Sequence, residues 1–228
     1  MRSFTASIVT RVLQEGEPRY ATKEWIQELS SVAASSSMTL AAHLCGIRVN
    51  EVLDGDDSFV ATLYPLGFRR VQINATTVNG ADTSNLAGSV PKLVDLMAQY
   101  DNLEFIIQKN GETQPLWEGI LGLEGGVPSN VTMLVDESKG AGVLAASWPK
   151  PPDGCNIGYA GGIGPDNIET VLKDIMIAGE GREVWIDMES SLRTIDTKGK
   201  DIFDLNKCFR CIDAVCKAGI YGHPSFLA

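Results

Sequence analysis

Seven polar side chains of this sequence stand at the ends of short β-rich runs: His43, Gln72, Asn74, Gln108, Asp136, Asp187 and Glu189. In parallel α/β folds the ligand site lies at the carboxyl ends of the strands, so these are the candidate chemical groups. Asp187 and Glu189 are two residues apart, which on a strand places both on one face. Two carboxylates held close together raise the pKa of one of them and make a general acid, or they bind a metal. Asp136, Glu189 and Asp187 therefore carry the catalytic expectation. A metal set of His43, Asp136 and Glu189 is the alternative, although two histidines in the whole chain exclude a His-rich zinc site. The acid–base reading needs no metal or cofactor, and none is expected. For any one of these residues the competing explanation is a structural cap bonded to loop backbone.

The run Tyr159–Asn167 reads Tyr-Ala-Gly-Gly-Ile-Gly-Pro-Asp-Asn. Gly161 and Gly162 let backbone approach a ligand with no Cβ in the way. A helix starting at Pro165 would direct its N-terminal dipole at that turn and favour an anion there. The competing explanation is an ordinary tight turn between strand and helix. Cys208 and Cys211 form a C-x-x-C pattern inside a helical run. No second Cys or His pair accompanies them, so they read as two partly buried thiols.

The elements that must position these groups alternate. Strands are expected at Phe4–Thr10, Thr39–His43, Arg70–Asn74, Leu103–Gln108, Val131–Asp136, Asn156–Ala160 and Val184–Met188. Helical patterns lie at Lys23–Ala34 with Thr22 as N-cap, Val49–Leu53, Phe59–Leu66, and Pro91–Tyr100 with its proline in the first turn. Others follow at Thr113–Leu121, Pro165–Ala178 and Asp204–Ala218. Ile168, Val171, Leu172 and Ile175 mark the inner face of one helix, and Leu205, Phe209, Ile212 and Val215 that of the last. Alternation of this kind means βαβ units and a parallel sheet that closes into a barrel or spreads into a doubly wound sheet; the α/β fold expected is a TIM-type (β/α) barrel with seven recognisable strands, one short of the regular eight. No linker divides the chain, so residues 1–228 read as one domain, with 219–228 as a C-terminal tail.

With 228 residues and 44% hydrophobic content, the chain can bury one sizeable core. A net charge of −10 argues against nucleic-acid binding but not against a small phosphorylated metabolite. No apolar run approaches the roughly 20 residues of a membrane span, so no membrane role is expected. Five cysteines without a secretion signal read as reduced thiols in a cytoplasmic protein.

The order of segments resembles phosphoribosylanthranilate isomerase, a (β/α) barrel. Leu134-Val-Asp136-Glu-Ser-Lys139-Gly140-Ala-Gly142 resembles the family's sixth-strand stretch. Ile157-Gly-Tyr-Ala-Gly161-Gly162-Ile-Gly-Pro165-Asp-Asn167 is similar to its seventh-strand phosphate turn, and Trp185-Ile-Asp187-Met-Glu189-Ser190-Ser191 to its eighth strand. Pro18-Arg19-Tyr20-Ala-Thr22 resembles the segment after the second strand, and Val71-Gln72-Ile73-Asn74 the fourth. The resemblance implies that Asp136 is the general acid and that Arg19 holds a substrate carboxylate. It also places Gly161, Gly162 and Ser190 in a phosphate-binding loop, with Lys139 on the loop beside the acid. It implies too that the family's first strand, with its catalytic Cys, has no counterpart here. Glu189 and Ser191 replace a Ser and a Gly of the phosphate region, and Asn74 stands where the family has His.

The expectation is an isomerase acting on a small anionic, sugar-phosphate-like metabolite by acid–base chemistry. Catalysis would come from Asp136, Glu189 and Asp187. Ligand contacts would come from Arg19, His43, Gln72, Asn74, Gln108, Lys139, Gly161, Gly162 and Ser190. One alternative is an inactive barrel that binds a partner, because a missing strand leaves two sheet edges that a homodimer or the N-terminus could cover. The other is a metal-dependent epimerase or aldolase. No Lys sits in a strand core, which counts against a Schiff-base aldolase.

Overall fold

The computed structural model of the chain describes residues 5–8, 22–35, 39–139 and 142–218. Arg19 and the tail 219–228 lie outside them. The fold is α/β with parallel strands, and the chain sorts into two compact units that divide between Leu134 and Val135.

In the first unit β1 (Thr5–Ile8), β2 (Thr39–Leu44), β3 (Phe68–Ile73), β4 (Glu104–Lys109) and β5 (Val131–Val135, whose last residue falls in the second unit) neighbour one another in chain order. β1 with β2, β2 with β3, and β3 with β4 are parallel pairs. Helix α1 (Lys23–Ala34) has both expected ends, and Thr22 Oγ1 accepts from the Trp25 N–H at 3.2 Å. Between the later strands run α2 (Ile47–Leu53), α3 (Val60–Leu63), α4 (Leu86–Gln99) and α5 (Gln114–Leu121). Helix α4 starts five residues before the expected Pro91, so the proline lies inside the helix rather than in its first turn. The apolar stripe Leu86, Val90, Leu93, Leu96 and Met97 explains this, because its burial outweighs the hydrogen bond the proline cannot donate.

Alternation along the strands sorts the side chains. Leu40, Ala42 and Leu44 of β2, Val71 and Ile73 of β3, and Phe105 and Ile107 of β4 are fully buried on one face. A register slip between Leu40 and Ala41 lets β3 carry one extra residue, which sets Arg70 level with Ala41 and Gln72 level with His43. The other face thus carries polar residues in layers. In the lowest layer Arg70 pairs with Glu104 at 2.6 Å, and Thr132 Oγ1 donates to the same carboxylate at 3.0 Å.

In the second unit β6 (Asn156–Tyr159) and β7 (Val184–Ile186) are parallel, and Ala160 N–H donates to the Val135 carbonyl at 2.8 Å. Helix α6 (Ile168–Gly179) buries Ile168, Val171, Leu172 and Ile175 as expected, but begins three residues after Pro165. The residues before it form a turn held by Asn167. A hairpin absent from the sequence reading follows β7: β8 (Arg193–Ile195) pairs antiparallel with β9 (Asp201–Phe203). Its turn is fixed by Asp196 Oδ1, which accepts from the Lys198 and Lys200 N–H groups at 2.8 Å each.

Helix α7 (Leu205–Lys217) is capped by Asp204, but its inner face differs from expectation. Leu205 and Phe209 are exposed, whereas Cys211, Ala214 and Val215 are buried and Cys208 packs on the same core. The spacing Cys208–Cys211–Val215 is itself helical, and a thiol packs as a small apolar group. Burial raises the pKa of both thiols. None of the five cysteines is in a disulfide. The irregular segment before β6 is pinned as well. Tyr159 Oη–H donates to the Pro149 carbonyl at 2.6 Å, and the Arg182 guanidinium donates to the carbonyls of Pro151 and Pro152. Lys150 pairs with Glu180 at 2.7 Å. Among the described residues no helix is long and apolar enough to cross a membrane.

Candidate functional site

In the first unit the strand ends assemble a buried polar relay. Asn74 Nδ2 donates to the Leu44 carbonyl at 3.1 Å and to Cys45 Sγ at 3.7 Å. Cys45 Sγ–H donates to Asn79 Oδ1 at 3.9 Å, and Asn79 Nδ2 donates to Thr76 Oγ1 at 2.7 Å. At the other end Gln72 Nε2 donates to Asn74 Oδ1 at 2.8 Å. His43 is buried beside Gln72, its partner in register. Ile73 pairs with Ile107, which brings Asn74 level with the buried Gln108. The Gln108 carbonyl accepts from Thr113 Oγ1 at 2.6 Å, and Asn110 Oδ1 accepts from the Glu112 and Thr113 N–H groups ahead of α5.

His43, Gln72, Asn74 and Gln108 are thus gathered on one face, as their strand-end positions imply. Cys45, Thr76, Asn79, Asn110 and Thr113 belong with them and were not singled out from the sequence. Cys45 directly follows the His43-Leu44 strand end, which is the signal that could have found it. Asn79 ends the short 3-10 turn Thr77–Asn79 after β3, and only the fold brings it to Cys45.

In the second unit Asp136 follows β5, is buried, and accepts from Ser138 Oγ–H at 2.7 Å. A Cβ on Gly161 would stand 3.6 Å from Asp136 Oδ1, so the acid lies against the glycine turn. Gly161 and Gly162 have φ of +104° and +64°, a region that favours glycine. A Cβ on Gly162 would meet Leu144 Cα at 2.7 Å, so the chain's own backbone passes directly over the turn. Asn167 closes it from the other side, donating from Nδ2 to the Gly162 carbonyl at 2.8 Å and accepting at Oδ1 from Gly164 N–H at 2.9 Å. Ser190 lies by Gly142, and Ser191 by Gly164.

Asp187 and Glu189 both fall beyond the end of β7, so strand alternation does not govern them. Asp187 is half-buried and its N–H donates to the Tyr159 carbonyl at 2.9 Å, whereas Glu189 is exposed. Lys139 is half-buried with φ of +53°, and its N–H donates to the Asp136 carbonyl at 3.2 Å. Among the described residues no three His, Cys, Asp or Glu side chains gather as a metal site.

No protein-family model matches this chain, and neither does any curated protein sequence.

Proposed function

We propose that the chain is a TIM-type (β/α) barrel enzyme of the isomerase kind, resembling phosphoribosylanthranilate isomerase, that acts on a small anionic metabolite by acid–base chemistry. Asp136 supplies the acid or base. The observation that carries this reading is a buried carboxyl at the carboxyl end of a parallel strand, set against a glycine turn. An isomerisation needs a second group to move the other proton. Asp187 suits that role better than Glu189, since a half-buried carboxylate is shielded from bulk water and an exposed one is not. Lys139 and Ser190 would orient the substrate.

A screen of phosphorylated aldoses and ketoses for isomerisation tests it. Asp136→Asn is expected to lower turnover by about 10²–10⁴-fold, the usual worth of a positioned acid or base. Unchanged turnover by that variant removes the assignment.

The course of the Leu144 backbone over Gly162 favours a second reading, a barrel that binds a partner without chemistry. In that reading the glycines serve chain packing, and the exposed Phe203, Leu205 and Phe209 form a contact surface, for instance in a homodimer. The same screen separates the two, because the second reading expects no turnover of any sugar phosphate by the native chain.

A further inference from the structure

The relay in the first unit has a fixed polarity. The Leu44 carbonyl is a backbone acceptor and cannot reverse, so Asn74 must turn its Nδ2 toward it. That leaves Asn74 Oδ1 facing Gln72, which must answer with Nε2. Gln72 Oε1 is therefore turned away from the relay. It is buried, and among the described residues no donor reaches it. A buried acceptor left without a donor costs about 1–3 kcal/mol, a cost that a bound donor removes. Level with Gln72 stand His43 on β2 and Ile106 on β4, and the charges one layer below on the same face, Arg70 and Glu104, are paired with each other at 2.6 Å. No carboxylate, Lys or Arg is level with it on either flanking strand.

We infer that Gln72 Oε1 is the hydrogen-bond acceptor of a binding site at the ends of β2 and β3 that takes a hydroxyl donor of a neutral, polyol-like group. A ligand hydroxyl both donates and accepts, so it can donate to Gln72 Oε1. A phosphate offers mostly acceptor oxygens and would face this carbonyl acceptor to acceptor. This inference concerns the first unit and stands whether or not Asp136 is catalytic.

The test follows the Gln72 side-chain amide resonances of the full chain by NMR during titration with xylitol and, separately, inorganic phosphate. Xylitol is expected to shift the Gln72 signals to saturation, with phosphate leaving them in place. Gln72→Met is expected to weaken xylitol binding by about 10-fold or more. Signals that stay put with xylitol, that move only with phosphate, or a Gln72→Met variant that binds xylitol as the native chain does would each overturn the inference. Should the Met variant fail to fold, the resonances of the native chain still decide. Loss of sugar-phosphate turnover on Asp136→Asn bears only on the isomerase reading, so the two fail separately.

Discussion

β2, β3 and β4 of the first unit run six residues each and are buried over most of their length, whereas β6 and β7 run four and three residues and β7 is half-exposed throughout. The polar groups at their ends differ in step. The first unit buries neutral amides, each oriented by the next, back to a backbone carbonyl. The second unit places carboxylates and glycines there, and its glycines are fixed by the backbone that crosses them. The contrast shows two solutions to a polar strand end. Neutral amides are buried in a chain of mutual hydrogen bonds, whereas of the three carboxylates only Asp136 is buried, Asp187 being half-buried and Glu189 exposed.

The difference in depth gives the largest expected effect on stability. Phe105→Ala, at a fully buried position of β4, should cost roughly 3–5 kcal/mol, and Ile186→Ala, at a half-buried position of β7, roughly 1–2 kcal/mol. Urea unfolding of both variants checks this, and equal losses would erase the contrast. Next come the glycines. Gly162→Ala meets both a left-handed φ and the Leu144 backbone, and should lose roughly 2–4 kcal/mol. Gly111→Ala in the first unit has negative φ and open space around its Cβ, and should stay within about 1 kcal/mol of the native chain. Thermal melts that rank these two the other way would show that the crossing at Gly162 does not hold in solution.

The smallest effect concerns two tyrosines. Burial, with the Asp57 carboxylate accepting from its hydroxyl at 2.7 Å, pushes Tyr100 of the first unit up to about 12. Burial also raises Tyr159 of the second, with Arg182 pulling the other way. A raised folded-state pKa means stabilisation that is complete below the ordinary value of 10.0 and lost as pH rises toward 12. Tyr100→Phe should flatten the fall of the urea midpoint across that window. A native fall that persists unchanged in the variant would assign it to another group.

Much of this arrangement was legible in residue order. Both ends of α1 and the buried stripe of α6 follow from capping and periodicity, because those signals are local. The strand-end positions of His43, Gln72, Asn74 and Gln108 follow from residue order, whereas their meeting on one face also needs the register of the strands, including the slip at Leu40–Ala41. The β8–β9 hairpin was not legible, since three-residue strands carry too little alternation, although Asp196 and Gly199 mark its turn. The inner face of α7 keeps Val215 but otherwise departs from the hydrophobicity order, in which Leu205 and Phe209 outrank Cys208 and Cys211, because contact with the α6 core decides the matter. The place of Asn79 beside Cys45 and the crossing of Leu144 over Gly162 are tertiary facts. Nothing in the spacing of those residues announces them.

The pinned proline segment bears on how long the protein survives in the presence of proteases. An irregular, surface-lying stretch with a lysine at its centre is where such an enzyme would ordinarily engage the chain. Cleavage requires the substrate to be drawn out as an extended strand, and here the carbonyls of Pro149, Pro151 and Pro152 are already held by Tyr159 and Arg182. Lys150 is followed directly by Pro151, which disfavours cutting after the lysine. Turnover of the protein should therefore begin elsewhere than in this segment.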